Sequence, residues 1–143
     1  MKTVLGARPD HYERLNLKEG IIAPWEDGLR TSPGQVSFEW WYFDCHLEDG
    51  TRLNIEFHTK PPFLSPASPL TPFVSLECER PDGTRITKSW ITTPAEFSAS
   101  TERCDVRIGR NTFAGDLRSY HIHVELDDVA ADIELTSESP PWR

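Results

Sequence analysis

Phe38-Glu39-Trp40-Trp41-Tyr42-Phe43-Asp44-Cys45-His46-Leu47, then Glu48-Asp49-Gly50-Thr51, then Arg52-Leu53-Asn54-Ile55-Glu56-Phe57-His58-Thr59, is the stretch that decides the fold. Both arms are rich in aromatic and β-branched residues, which suit a pleated, half-buried surface. Asp49-Gly50 between them is the type I′ hairpin signal, since that turn needs positive φ at both central residues. Residues 35–47 are therefore predicted to return through residues 51–59 as a hairpin.

The same pattern spreads outward. Residues 73–80 pair with 84–91 across Pro81-Asp82-Gly83, and weaker strands follow at 96–100, 104–108 and 112–114 with Gly109-Arg110-Asn111 as a turn. Residues 117–126 alternate Tyr120, Ile122, Val124 and Leu126 with Ser119, His121, His123 and Glu125, and Asp127-Asp128 turns them into 131–136. Eight or nine short strands joined by tight turns predict an all-β antiparallel meander, curled into a β-barrel or half-barrel. No helical periodicity and no longer internal repeat accompanies it. Residues 60–72 hold five prolines, Pro61, Pro62, Pro66, Pro69 and Pro72, which excludes a central strand or a helix there. That leaves a lid over a site or a stiff passive crossover. Residues 1–34 lack periodicity and read as an irregular N-terminal arm packed across the domain of residues 35–143, with Trp25 as an anchor.

At 143 residues the chain makes one domain, or half of a two-domain protein. A net charge of −8 argues against nucleic acid and anionic membrane surfaces as partners. No stretch reaches the roughly 20 apolar residues of a transmembrane segment. The first residues lack a signal peptide's apolar run, which places the chain in the cytoplasm. Cys45, Cys78 and Cys104 are widely spaced and odd in number, so they read as free thiols. His121, His123 and Glu125 share one strand face at a spacing that can hold a metal, yet alternate with apolar residues as an ordinary solvent face does. No metal site is expected. Serine-hydrolase, zincin and phosphate-loop motifs are all missing.

With Asp49-Gly50 as a two-residue loop, Cys45 faces Asn54, Phe43 faces Glu56 and Trp41 faces His58. One face then gathers Phe38, Trp40, Tyr42 and Asp44 with Leu53, Ile55 and Phe57. The other gathers Glu39, Trp41, Phe43 and Cys45 with Asn54, Glu56 and His58. Aromatic walls with a few polar groups suit a ligand cavity. A carboxyl group in a dry aromatic pocket is held up in pKa and can act as an acid. Glu39, Glu56 and His58 are the catalytic candidates, and Trp41, Phe43, Tyr42 and Asn54 the ligand-binding ones. The alternative is that both glutamates sit near strand ends and His58 pairs with one of them structurally.

The segments Trp25-Glu26-Asp27-Gly28, Phe38-Glu39-Trp40-Trp41-Tyr42-Phe43-Asp44 and Asp49-Gly50 resemble the N-terminal signature of the hydroxyneurosporene synthase (carotenoid hydratase) family, itself similar to the lipocalin-like Diels–Alderases. Ile108-Gly109-Arg110-Asn111-Thr112-Phe113 and Pro141-Trp142-Arg143 resemble its later pattern. The resemblance implies a lipocalin-like β-barrel, the first of two such domains, with an apolar pocket within or between them. It implies cofactor-free hydration, cyclisation or isomerisation of a hydrophobic isoprenoid- or polyketide-like small molecule. Two further functions fit the residues: a non-catalytic carrier of a hydrophobic ligand, and a β-rich interaction module.

Overall fold

The computed structural model describes residues 8–32 and 37–142. Gln35 and Val36, where the sequence reading starts its first strand, lie outside the described residues, as does Arg143 of the terminal motif.

Among the described residues nine strands form two antiparallel meanders, each in chain order. The first sheet holds β1 (Trp40–His46), β2 (Arg52–His58), β3 (Phe73–Glu79) and β4 (Arg85–Ile91). The second holds β5 (Phe97–Ala99), β6 (Asp105–Ile108), β7 (Asn111–Gly115), β8 (Ser119–Leu126) and β9 (Val129–Thr136). The all-β antiparallel class is as expected. No ladder joins the two sheets among the described residues, so they form an open pair and not a closed barrel. The arm carries one helix absent from the sequence reading, α1 (Pro9–Arg14). It buries no residue, so it has no apolar periodicity to detect.

The first hairpin differs from expectation by one residue. Leu47 N–H donates to Thr51 O at 2.8 Å and Gly50 N–H to Leu47 O at 2.9 Å. Gly50 alone in this turn has positive φ, at 86°. This is a type I turn closed by a left-handed glycine bulge, a three-residue loop and not a type I′ pair. The Asp49 carboxylate accepts from Thr51 N–H at 2.8 Å and from its hydroxyl at 3.0 Å, bonds that lower its pKa. These contacts hold Asp49 in the turn position that keeps φ negative. The extra loop residue pairs Trp41 with Phe57, Phe43 with Ile55 and Cys45 with Leu53, and sets Trp40 opposite His58 and Tyr42 opposite Glu56. The predicted pairing of Trp41 with His58 and Phe43 with Glu56 is thereby corrected. Arg80-Pro81-Asp82-Gly83-Thr84 builds the same turn, with Gly83 at φ 85°, and here the predicted register holds.

The core lies between the sheets. Ile55, Phe57, Val74 and Leu76 from the first meet Val106, Ile108, Phe113, Ile122 and Val124 from the second. Phe57 and Phe113 join across the interface as a T-shaped pair with ring centroids 5.7 Å apart. Burying one such side chain is worth about 1.5–3 kcal/mol. The arm closes over one seam of the pair. Leu29 N–H donates to Ser100 O at 2.7 Å, and a Cβ on Gly28 would come within 2.9 Å of that same carbonyl oxygen, so only glycine lets the arm approach so closely.

Candidate functional site

Among the described residues no ladder joins β1, an edge of the first sheet, to the second sheet, and residues of β1, β7, β8 and β9 meet at a seam. A cavity of about 200 Å³ occupies that seam, lined by Trp41, Tyr42, Phe43, Phe113, Tyr120, Leu135 and Asp27. The observed register sends Trp41 and Phe43 inward, because both now share a face with Ile55 and Phe57. Tyr42 points the other way, is 57% exposed, and contributes to the rim.

Asp27 supplies the polar end. It closes the one-turn 3₁₀ segment Pro24–Asp27, whose start is tied by Ala23 N–H donating to Glu26 Oε1 at 2.9 Å. The Trp41 indole N–H donates to Asp27 O at 2.9 Å, and the Tyr120 hydroxyl donates to Asp27 Oδ2 at 2.5 Å. One residue of the arm therefore holds a strand from each sheet. The Tyr120 ring lies over Gly115, its cross-strand partner, where any Cβ would overlap the ring. Burial raises the Tyr120 phenol above its ordinary pKa, and the hydrogen bond to Asp27 and its charge push the same way. The neighbouring Cys104 thiol is also raised, by burial first and then by the charges of Asp27 and Asp105. Both groups keep their protons at neutral pH, so neither is a ready nucleophile.

The other sequence candidates lie elsewhere. Glu39 precedes β1, and its carboxylate accepts from Arg30 N–H at 2.9 Å, Thr31 N–H at 2.9 Å and the Thr31 hydroxyl at 2.9 Å. Such a carboxylate anchors the arm to the sheet. Glu56, His58 and Asn54 stand on the outer face of the first sheet with Trp40 and Tyr42. His58 is only 4% exposed, lies between Trp40 and Phe73 with ring centroids 6.4 and 5.5 Å away, and meets Glu56 Oε2 at 2.9 Å through Nε2. Its Nδ1 is buried without a hydrogen-bond partner. The structure thus brings Glu56 and His58 together, and separates them from Glu39, Trp41 and Phe43. His123 Nδ1 meets Asp132 Oδ1 at 2.6 Å, which engages the H-x-H strand face in an ordinary cross-strand hydrogen-bonding contact.

Asp27, Tyr120, Phe113 and Leu135 were missed as site residues. A signal existed for Tyr120: it begins the inward row of β8, and a half-buried phenol needs a partner for its hydroxyl. The partner is 93 residues away in the chain, beyond any local pattern. A larger cleft, about 530 Å³, opens between β4 and β8 around Trp90, Glu96, Arg110, Glu125 and Asp127. Its charged walls, including an Arg110–Glu125 pair at 2.6 Å, do not suit an apolar ligand. Among the described residues no helix is long and apolar enough to cross a membrane. Compared with known proteins, the chain matches no family model, no curated protein and no solved structure.

Proposed function

We propose that this chain binds an apolar small molecule, isoprenoid- or polyketide-like, in the aromatic seam between its sheets, with Tyr120 and Asp27 as the polar contact. The observation that carries this reading is the lining: Trp41, Phe43, Phe113 and Leu135 around the hydrogen-bonded Tyr120–Asp27 pair, with Tyr42 at the rim. Apolar walls with one polar pair give affinity by area and orientation by hydrogen bonding.

Volume restricts the mode of binding. Drug-sized ligands fill roughly 300–1,000 Å³, so a seam of about 200 Å³ takes one end of such a molecule. The chemistry is restricted too. A phenol with raised pKa is a poor proton donor to a bare alkene, and Asp27, the carboxyl group that lines the seam, accepts the Tyr120 hydrogen bond. Holding a reactive conformer for cyclisation, or carriage without reaction, fits the seam better than proton-driven hydration.

The neutral probe N-phenyl-1-naphthylamine tests this. Its fluorescence should rise saturably with the wild-type chain. Leu135→Trp, which fills the seam, should abolish that rise with circular dichroism unchanged, while Trp40→Ala on the outer face should leave it intact. The converse result would favour a second reading, an interaction module. That reading rests on the outer face of the first sheet, where Phe38, Trp40 and Ile91 are 39%, 48% and 49% exposed around His58 and Phe73.

A further inference from the structure

The cleft of about 530 Å³ runs along β4, the edge of the first sheet opposite to β1. Trp90 belongs to the inward row of β4, across from the fully buried Val74, yet it is 37% exposed. Gly109 explains its position. A Cβ at residue 109 would come within 2.6 Å of both Trp90 Cη2 and Cζ3, and Gly109 has φ 60°, so glycine alone lets the turn into β7 pass against the indole. The same point lies 3.6 Å from Glu96 Oε2. An indole and a carboxylate thus flank one glycine, and all three line the cleft.

The remaining walls are mostly polar. The fully buried Asn111 donates from Nδ2 to Ile108 O at 3.1 Å and accepts at Oδ1 from Glu125 N–H at 2.7 Å, which fixes the backbone that carries Glu125. The Glu125 carboxylate takes Arg110 Nη1 at 2.6 Å through Oε1. A guanidinium carries five N–H donors and a carboxylate about four lone-pair positions, so this one bond leaves capacity of both kinds.

These walls select among ligand classes. An apolar molecule would strip water from Glu96, Glu125 and Asp127 and replace none of its hydrogen bonds. An anion would meet three carboxylates against one guanidinium, on a chain of net charge −8. An organic cation would meet Arg110 among those carboxylates, and its attraction to an exposed indole is worth only about 0.5–1 kcal/mol. A saccharide suits every wall. The C–H groups of a pyranose face pack on the electron-rich face of an indole. Its hydroxyls both donate and accept, as walls of carboxylates and a guanidinium require. Equatorial hydroxyls leave both ring faces to C–H groups, and a cleft of this size takes more than one ring.

We propose that this cleft binds a neutral, β-linked saccharide with equatorial hydroxyls, one pyranose ring against Trp90 and its hydroxyls on Glu96 and the Arg110–Glu125 pair. The site is separate from the seam and does not depend on ligand binding there.

Titration calorimetry with cellotriose tests it. Saturable binding to the wild-type chain is expected, unchanged between low and high salt because the ligand carries no charge. Trp90→Ala and Glu96→Ala should each weaken it about tenfold, the factor that a hydrogen bond to a charged group carries. Both should retain the wild-type circular dichroism. Glu96 is exposed, so its variant decides the matter if Trp90→Ala fails to fold. Trp40→Ala, at an exposed tryptophan of the outer face, should bind cellotriose as the wild type does. Maltotriose, whose α-linkages bend the chain, should bind more weakly. The proposal is overturned by no saturable binding of cellotriose, by affinity unchanged in Glu96→Ala, by equal affinity for maltotriose, or by salt-sensitive binding of tetramethylammonium in place of the saccharide. None of these outcomes bears on the seam.

Discussion

The Tyr120 hydroxyl donates to Asp27 Oδ2 at 2.5 Å, joining β8 to an arm segment 93 residues earlier in the chain. Asp27 also accepts from the Trp41 indole through its backbone carbonyl. One residue thus bridges the two sheets at a seam that no ladder closes among the described residues.

Removing that bridge should cost stability. Tyr120→Phe is expected to destabilise by about 1.5–3 kcal/mol, the range for a hydrogen bond to a charged acceptor. Urea unfolding should show a lower midpoint at unchanged slope. A double-mutant cycle with Asp27→Ala should give a coupling above about 0.5 kcal/mol, and a smaller value would mean the bond adds nothing.

Alkaline pH should weaken the fold through the same residue. The folded-state pKa of Tyr120 is raised, so between the unfolded value near 10 and the folded one the native state binds more protons. Its contribution is complete below about pH 10 and is lost as pH climbs above that value. Cys104, raised by burial, acts in the same direction from its lower ordinary value. Unfolding free energy measured from pH 8 to 11 should fall less steeply for Tyr120→Phe than for wild type. Parallel slopes would contradict this.

Adjacent tryptophans report the hairpin register. Trp41 is 6% exposed and Trp40 is 48% exposed. Trp41→Ala should cost about 3–5 kcal/mol and Trp40→Ala far less. Acrylamide quenching should fall markedly in Trp40→Phe and little in Trp41→Phe. The opposite pattern would restore the two-residue loop.

Gly115 should behave as the seat of the Tyr120 ring. Gly115→Ala places a methyl group where the ring lies, and such overpacking costs about 1–3 kcal/mol. In a Tyr120→Ala background the same substitution should be nearly neutral, because the ring is gone. Additive losses in the double variant would place the effect elsewhere.

Most strands were legible because alternation and turn chemistry act locally. The row Tyr120, Ile122, Val124 and Leu126 predicts β8, and Pro81-Asp82-Gly83 predicts both the second hairpin and its register. The first hairpin shows where such reading stops. Asp-Gly serves equally in a type I′ turn and at the end of a type I turn with a glycine bulge, and the two differ by one residue of register. That residue exchanged the faces. It sent Trp41 and Phe43 to the core and left Glu56 and His58 outside, so the expected constellation is divided between two faces of the sheet.

Composition and periodicity alone determined the antiparallel all-β class and where most of the turns fall, since each depends on neighbours in the chain. The tertiary structure decided which aromatic face turned inward, that the sheets remained an open pair, and that Asp27 met Tyr120. Those outcomes depend on contacts between distant segments and on how two twisted sheets fill the space between them, and neither is encoded in the spacing of neighbouring residues.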